Sequence, residues 1–158
     1  MRRARRGDLP ALAALEVELP RHQRLAPVFS ASPVPSYEEC LAGWEDDFED
    51  PAYATFVAEL EGVVVGSGIG CSLERSGSHP PLTRPDHAGF LAFAAVVPQA
   101  RGLGVGRALG EAVIAWTAQA GYQCVATDWR VTNLLSSRIW PRLGFAESFL
   151  RLHRLVGY

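Results

Sequence analysis

The segment Val97-Pro98-Gln99-Ala100-Arg101-Gly102-Leu103-Gly104-Val105-Gly106-Arg107-Ala108-Leu109 concentrates residue types that handle anions. Glycines at 102, 104 and 106 let the main chain turn sharply and approach a ligand without Cβ interference, so successive N–H groups can point into one concavity. A helix beginning just after them adds the partial positive charge of its N-terminus, and Arg101 and Arg107 add full charges. The chemistry this favours is pyrophosphate binding, although a Gly-rich turn ahead of a packed helix has the same appearance. Two other phosphate loops fit less well. A dinucleotide-binding loop follows the first strand of its fold, whereas at least two strand patterns precede this segment. A Walker loop ends in Gly-Lys-Ser/Thr, and the chain contains no lysine.

Such a loop needs a strand before it and a helix after it. Phe90 to Val97 is a continuous apolar run closed by Pro98, the pattern of a strand buried on both faces near the middle of a sheet. After the loop, Val105, Leu109, Ala112, Trp116 and Ala120 recur on one helical face up to Gly121, and Cys124 to Trp129 reads as the next strand. Upstream, Asp8-Leu9-Pro10 reads as an N-cap and helix start, and Leu12, Leu15 and Leu19 predict a helix of about ten residues ended by Pro20. Residues 21–36, with Pro27, Pro33 and Pro35, read as a loop, and Tyr37, Leu41, Trp44 and Phe48 predict a second amphipathic helix. Thr55–Leu60 and Val63–Gly70, joined at Glu61-Gly62, predict an antiparallel hairpin. Residues 74–89 gather Gly, Ser, Pro and His into a loop of about fifteen residues, a length that often carries substrate contacts. Asn133–Leu143 predicts a short helix ended at Gly144, with Pro141 at or near its end, and Phe145 to Val156 a last strand or bent pair.

A chain of 158 residues that is 48% hydrophobic fits one domain with room for a core. With 20% charged residues and a formal net charge of -2, neither a disordered acidic tail nor a nucleic-acid partner is expected. Cys40, Cys71 and Cys124 are widely spaced, odd in number and without a CxxC or His-rich neighbourhood, which argues against a disulfide framework and a metal site and for a cytoplasmic protein. No apolar run has the length of a membrane span or signal peptide, so no membrane partner is expected.

Taken together, these motifs resemble the GNAT superfamily of acyl-CoA-dependent N-acyltransferases, over nearly the whole chain. The superfamily signature, Arg or Gln, two residues, Gly, one residue, then Gly or Ala, falls on Arg101, Gly104 and Gly106. Gln99, Gly102 and Gly104 fit it too, but the Arg101 register puts Gly106-Arg107-Ala108-Leu109 at the usual helix start. Arg3 to Pro10 resembles the first strand and helix start, and Asn133 followed by Trp140-Pro141-Arg142-Leu143-Gly144-Phe145 resembles the second signature. The resemblance implies one α/β (α+β) domain over residues 1–158, with a central mixed, mostly antiparallel sheet of about six or seven strands flanked by about four helices. It implies that Arg101, Gly102, Leu103, Gly104, Val105, Gly106 and Arg107 hold the pyrophosphate of coenzyme A. Backbone groups near Ala95, Val96 and Val97 would pair with the pantetheine arm like an added strand. Asn133 would reach the pantetheine or the amine, with Ser136 one turn along, though Asn133 also suits a helix cap. The implied activity is transfer of an acetyl group from acetyl-CoA, without a metal, to a primary amine of a small molecule or peptide by direct attack in a ternary complex. The alternative is a noncatalytic acyl-CoA-binding module. Oligomeric state is left open, with a homodimer among the options.

The sequence departs from the superfamily pattern at two catalytic positions. Trp140 stands where relatives often carry a tyrosine acid, and an indole supplies no proton; a thiolate whose pKa is about 8.5 leaves without one. Trp140 therefore either packs in the core or stacks along the coenzyme arm. Phe90 stands where some relatives carry a glutamate base, leaving Asp128 as the catalytic candidate, followed by Asp86, His87 and His79 in the long loop. The acidic run from Glu38 to Asp50 either attracts a cationic amine or forms a solvated helix face. Arg2, Arg3, Arg5 and Arg6 either reach a phosphate or fray at the terminus.

Overall fold

The computed structural model describes residues 1–28, 30, 32–76 and 85–150. In chain order they form β1 (Arg2–Arg3), α1 (Leu9–Arg24), α2 (Tyr37–Asp47), β2 (Ala54–Leu60), β3 (Val63–Ser72), the single turn α3 (Leu73–Ser76), β4 (Ala88–Val96), α4 (Val105–Gln119), β5 (Cys124–Thr127) and α5 (Leu134–Ile139). The strands make one sheet in the order β1-β2-β3-β4-β5, antiparallel throughout except for the parallel pair β4 and β5.

The described residues thus give five strands, where six or seven were expected. After Gly144, which takes φ +89, the chain folds back on α5: the Phe145 amide donates to the Trp140 carbonyl at 3.2 Å and the two rings meet edge-on at 6.0 Å. Phe145 to Leu150 consequently has no regular secondary structure, and residues 151–156 of the anticipated last strand lie outside the described residues. The helix beyond the expected four is α3, nucleated where the Arg75 amide donates to Ser72 Oγ (3.1 Å) and Ser76 Oγ donates to the Leu73 carbonyl (2.7 Å), with Leu73 buried beneath. No helix among the described residues is long and apolar enough to cross a membrane.

Helix α1 also departs from expectation: it runs through Pro20 to Arg24. A proline that far in removes only one ladder amide, and burial of Leu9, Leu12, Ala13, Leu15 and Val17 holds the helix to the sheet. Helix α2 starts as a reciprocal cap, Ser36 Oγ accepting from the Glu39 amide (3.1 Å) and the Glu39 carboxylate from the Ser36 amide (2.8 Å). These two helices cover one face of the sheet. Helix α4 covers the other, resting on β3, where an added Cβ at Gly66 would lie 3.1 Å from Leu109 Cδ1 and at Gly70 2.7 Å from Trp116. The glycines turn its buried face to Leu109, Gly110, Val113 and Thr117, leaving Ala120 exposed, contrary to the expected stripe.

The basic N-terminus is anchored and is not frayed. Arg2 donates to both carboxylate oxygens of Asp8 (2.7 and 2.9 Å) and to Glu59 (2.7 Å), Arg3 lies 5.0 Å over the Phe56 ring, and Arg6 pairs with Glu49 at 3.0 Å. Asp8 therefore does not cap α1 with its side chain. The Arg2 guanidinium holds the Asp8 carboxyl below the ordinary aspartate range, against the opposing effect of burial. A folded-state pKa depressed in this way stabilises the fold above the unfolded carboxylate pKa and ceases to do so as pH falls through the folded value. Asp8→Asn is expected to lower the melting temperature at pH 7 by about 2–4 °C, with the difference from wild type vanishing in acid. Paired thermal melts at pH 7 and pH 3 check this.

Candidate active site

β4 and β5 are paired only from Ala88/Cys124 to Leu91/Thr127, where Thr127 Oγ donates to the Leu91 carbonyl at 3.0 Å. Beyond that rung β5 ends while β4 continues from Ala92 to Val96, leaving one edge of β4 without a strand neighbour among the described residues. The opposite edge is bulged. Gly70 pairs with Leu91 and Ile69 with Phe93, so Ala92 is the extra residue, and it is the exposed one in β4. The strand is therefore buried on both faces over its first half only.

The Val97 amide donates to the Val65 carbonyl at 2.9 Å, which sets the alternation of the strand. The main-chain groups of Phe93 and Ala95 turn toward β3, and those of Ala94 and Val96 face the open edge. Of the three residues expected to pair with a pantetheine arm, Val96 faces the open edge; Ala95 and Val97 are engaged with β3, and Ala94 is the other residue whose main chain faces that edge. The phase of that alternation comes from the register with β3, which residue types alone do not reveal.

Downstream, Gly102 and Gly104 adopt φ +82 and +80, and a Cβ on either would meet nothing within 4 Å. Ala108 is the first α4 residue to donate to a helical carbonyl, that of Gly104 (3.0 Å), so the amides of Val105, Gly106 and Arg107 precede the hydrogen-bonded ladder and remain for a ligand. Open space over two left-handed glycines, beside three such amides, suits a pyrophosphate. Leu103 is exposed at the tip, and Arg107 is exposed and paired with Glu111 at 2.7 Å. Gly106 has a different reason to be small: an added Cβ would lie 3.2 Å from Ile139 Cδ1 and 3.8 Å from Val96 Cγ2, against α5 and β4 and away from the open concavity.

Arg101 is held at the mouth of the open edge. Its Nε donates to the Val96 carbonyl at 3.3 Å and its Nη2 to Glu18 of α1 at 2.9 Å. Arg101→Ala is expected to weaken acetyl-CoA binding by about 1.5–3 kcal/mol, less at high salt. Glu18→Gln, which frees the guanidinium, is expected to tighten it a few-fold. Calorimetric titration of both variants decides; loosened binding in Glu18→Gln would mean that Arg101 serves as a brace only.

Toward the C-terminus, Asn133 is buried and caps α5, its Oδ1 accepting from the Leu135 amide at 3.2 Å. Ser136 is half-buried. Its neighbour Ser137 accepts from the Trp129 indole (3.2 Å) and donates to the Val131 carbonyl (2.8 Å). Trp140 is 6% exposed and packs with Leu91 and Val113; a Cβ on Gly110 of α4 would come within 3.2 Å of its ring. Core packing is therefore the role the structure gives Trp140.

A cavity of about 330 Å³ opens on the α1/α2 face and reaches the bulged Ala92. Glu16, Glu39 and Asp47 supply carboxylates to it, and Trp44, Phe48, Tyr53 and Phe93 supply rings. The acidic run of α2 is thus divided, with Glu39 and Asp47 on the cavity and Asp50 pairing with Arg75 at 2.7 Å. Burial pushes the Glu16 carboxyl above its ordinary value; the Trp44 indole N–H opposes this from nearby, though it is buried without a partner in hydrogen-bond geometry. Sequence reasoning passed over Glu16. The signal was its spacing, because with Leu12, Leu15 and Leu19 it completes an i, i+3, i+4, i+7 stripe, placing a charge on the face that should be apolar. Asp128 is exposed, one residue beyond the end of β5. Asp86 and His87 lie at the other end of β4, His87 against Tyr122 at 5.4 Å and roughly 16 Å along the strand from Ala92. His79 falls outside the described residues.

Residues 15–145 match the family model described as acetyltransferase (GNAT) family. The chain belongs to the GNAT acetyltransferase family. The aminoglycoside N(6')-acetyltransferase type 1 of Stenotrophomonas maltophilia is 42% identical to this GNAT chain over 66 residues, which are 42% of the chain and 43% of the relative, so the match spans less than half of that relative's length. Among solved structures, aminoglycoside N-acetyltransferase AAC(6')-Iy in complex with CoA superposes with a TM-score of 0.71 at 23% identity, over 99% of this chain and 93% of that one. AAC(6')-IG from Acinetobacter haemolyticus gives 0.71 at 17% identity (99% and 97% covered). A ribosomal-protein-alanine N-acetyltransferase from Brucella melitensis gives 0.70 at 24% (94% and 85%). These likenesses establish the GNAT fold. Acetyl-CoA is the cosubstrate of the family, and the cradle from Gly102 to Arg107 with the open edge of β4 has the form needed to hold it.

Proposed function

We propose that this GNAT chain transfers the acetyl group of acetyl-CoA to a primary amine on a small cationic molecule, by direct attack in a ternary complex. The observation that carries the proposal is the cavity that joins three carboxylates and four aromatic rings to the bulge of β4. A pantetheine arm along the open edge would bring its thioester to that bulge, and carboxylates with ring faces on the far side suit an ammonium group. A volume of about 330 Å³ fits a small molecule or one end of it better than a peptide held along a groove. The names of three of the similar proteins, aminoglycoside acetyltransferases, point the same way and make aminoglycosides the first acceptors to try.

In this scheme the amides of Val105, Gly106 and Arg107 hold the pyrophosphate, Val96 and Ala94 align the arm, and Asn133 fixes the start of α5 beside the split. Asp128, one residue beyond β5, is a second candidate carboxylate, at the end of the strand that parts from β4. Trp140 gives no proton, and the thiolate departs unaided. The cytoplasm is the compartment proposed, consistent with the free Cys40, Cys71 and Cys124. The experiment is thiol release from acetyl-CoA with aminoglycosides, simple diamines and peptide N-termini as acceptors. Turnover with the first two and little with peptides is expected. Tight acetyl-CoA binding with no thiol release from any amine would establish instead a noncatalytic acyl-CoA-binding module.

A further inference from the structure

Beyond a share in attracting a cationic amine, we propose that Glu16 accepts the proton of the attacking amine. The inference rests on the proposed acetyl transfer and adds to it the residue that makes the amine nucleophilic. Glu16 projects from α1 into the cavity that ends at Ala92, the bulged residue where β4 and β5 have parted. The groups facing it are Glu39, Cys40 and Asp47 from α2, Tyr53 ahead of β2, and the uncharged Thr55, Ile69, Ala92 and Phe93 from the strands. Among the described residues no cation lines the cavity, and the Trp44 indole N–H is the group in its walls that favours the charged form of Glu16. A half-buried carboxylate without a counter-ion is unfavourable for folding, and a cationic ligand would supply the missing charge. The unpartnered indole N–H of Trp44 is a second uncompensated group beside it. Burial raises the Glu16 carboxyl above its ordinary value, which makes it a stronger proton acceptor.

One N–H bond of the ammonium breaks and its proton passes to a Glu16 carboxylate oxygen. The nitrogen lone pair forms the C–N bond at the thioester carbonyl, the C–S bond breaks, and sulfur leaves with the electron pair. The nitrogen loses its second proton, which the thiolate takes up through water. Glu16 returns its proton to solvent after the amide departs.

The test is Glu16→Gln, followed by initial rates from pH 6 to 10 with an amine the wild type acetylates. The expected kcat/KM for that amine falls by about 10²–10³ at pH 7. The deficit narrows as pH rises and free amine accumulates, while calorimetry shows unchanged acetyl-CoA affinity. Trp44→Phe, which removes the nearby donor, is expected to move the acidic limb of the profile to higher pH. A wild-type profile in folded E16Q overturns the proposal, as does a raised KM whose deficit is the same at every pH, the mark of a carboxylate that binds a cation without taking its proton. A pH-dependent loss in Asp128→Asn with none in E16Q overturns it in favour of Asp128. If E16Q does not fold, Glu16→Asp takes its place, with an intermediate, pH-dependent loss expected and a wild-type profile again overturning. A wild type that releases no thiol with any amine defeats the transferase proposal itself, an outcome distinct from all of these.

Discussion

Gly104→Val is expected to weaken acetyl-CoA binding on the order of 10²-fold or more while the domain stays folded. Gly104 sits at φ +80 as the residue before α4, and its missing Cβ opens onto space. A β-branched residue there is strained by about 1–3 kcal/mol whatever surrounds it. Relief of that strain turns the amides of Val105 and Gly106 out of alignment, and the new side chain fills the concavity itself. Gly106→Ala is the contrast: its Cβ would press on the mobile end of Ile139 at 3.2 Å, so affinity should hold within about threefold. Calorimetric titration beside thermal melts separates the two, and equal losses in both variants would remove the special role of Gly104.

Trp140→Ala is expected to cost about 3–5 kcal/mol of stability, because it empties a site enclosed by Leu91, Val113 and Phe145. Trp140→Tyr should cost less, roughly 1–2 kcal/mol, and should not raise turnover. The hydroxyl it introduces would have to reach the departing sulfur from a position packed against Gly110, and addition of the amine, not loss of a good leaving group, is the harder step. Denaturant titrations with steady-state kinetics check both; a tyrosine variant that turns over tenfold faster would place side chain 140 on the coenzyme.

How much of this was legible beforehand depended on whether a property is local. The phosphate loop was visible because positive φ is a demand that only a few residue types meet, and Gly102 and Gly104 meet it. The apolar run at Phe90 to Val97 and the amphipathic pattern of α2 were visible for the same reason, periodicity being written into neighbouring residues. Pro20 misled because a local rule against helix continuation was overridden by the packing of α1 on the sheet. Whether Ala94 or Ala95 faces the open edge is settled by the bond from Val97 to Val65, a partner distant in sequence. Trp140 could not be assigned without Gly110 from another helix. Glu16 became meaningful only once α2 and the bulge of β4 closed a cavity around it.

The contact of Arg101 with Glu18 sets the coenzyme loop in communication with the helix that carries Glu16. A pyrophosphate drawing the guanidinium toward itself would loosen Glu18, two residues along α1 from the carboxylate on the acceptor cavity. Were that loosening to reach the acceptor cavity, the coupling would be reciprocal: whatever factor the coenzyme imposes on amine affinity, the amine must impose on coenzyme affinity. In wild type that factor departs from one in proportion to how far the ion pair opens. In Glu18→Gln, where there is no ion pair left to open, it should fall toward one, and the order in which the two substrates bind should cease to matter.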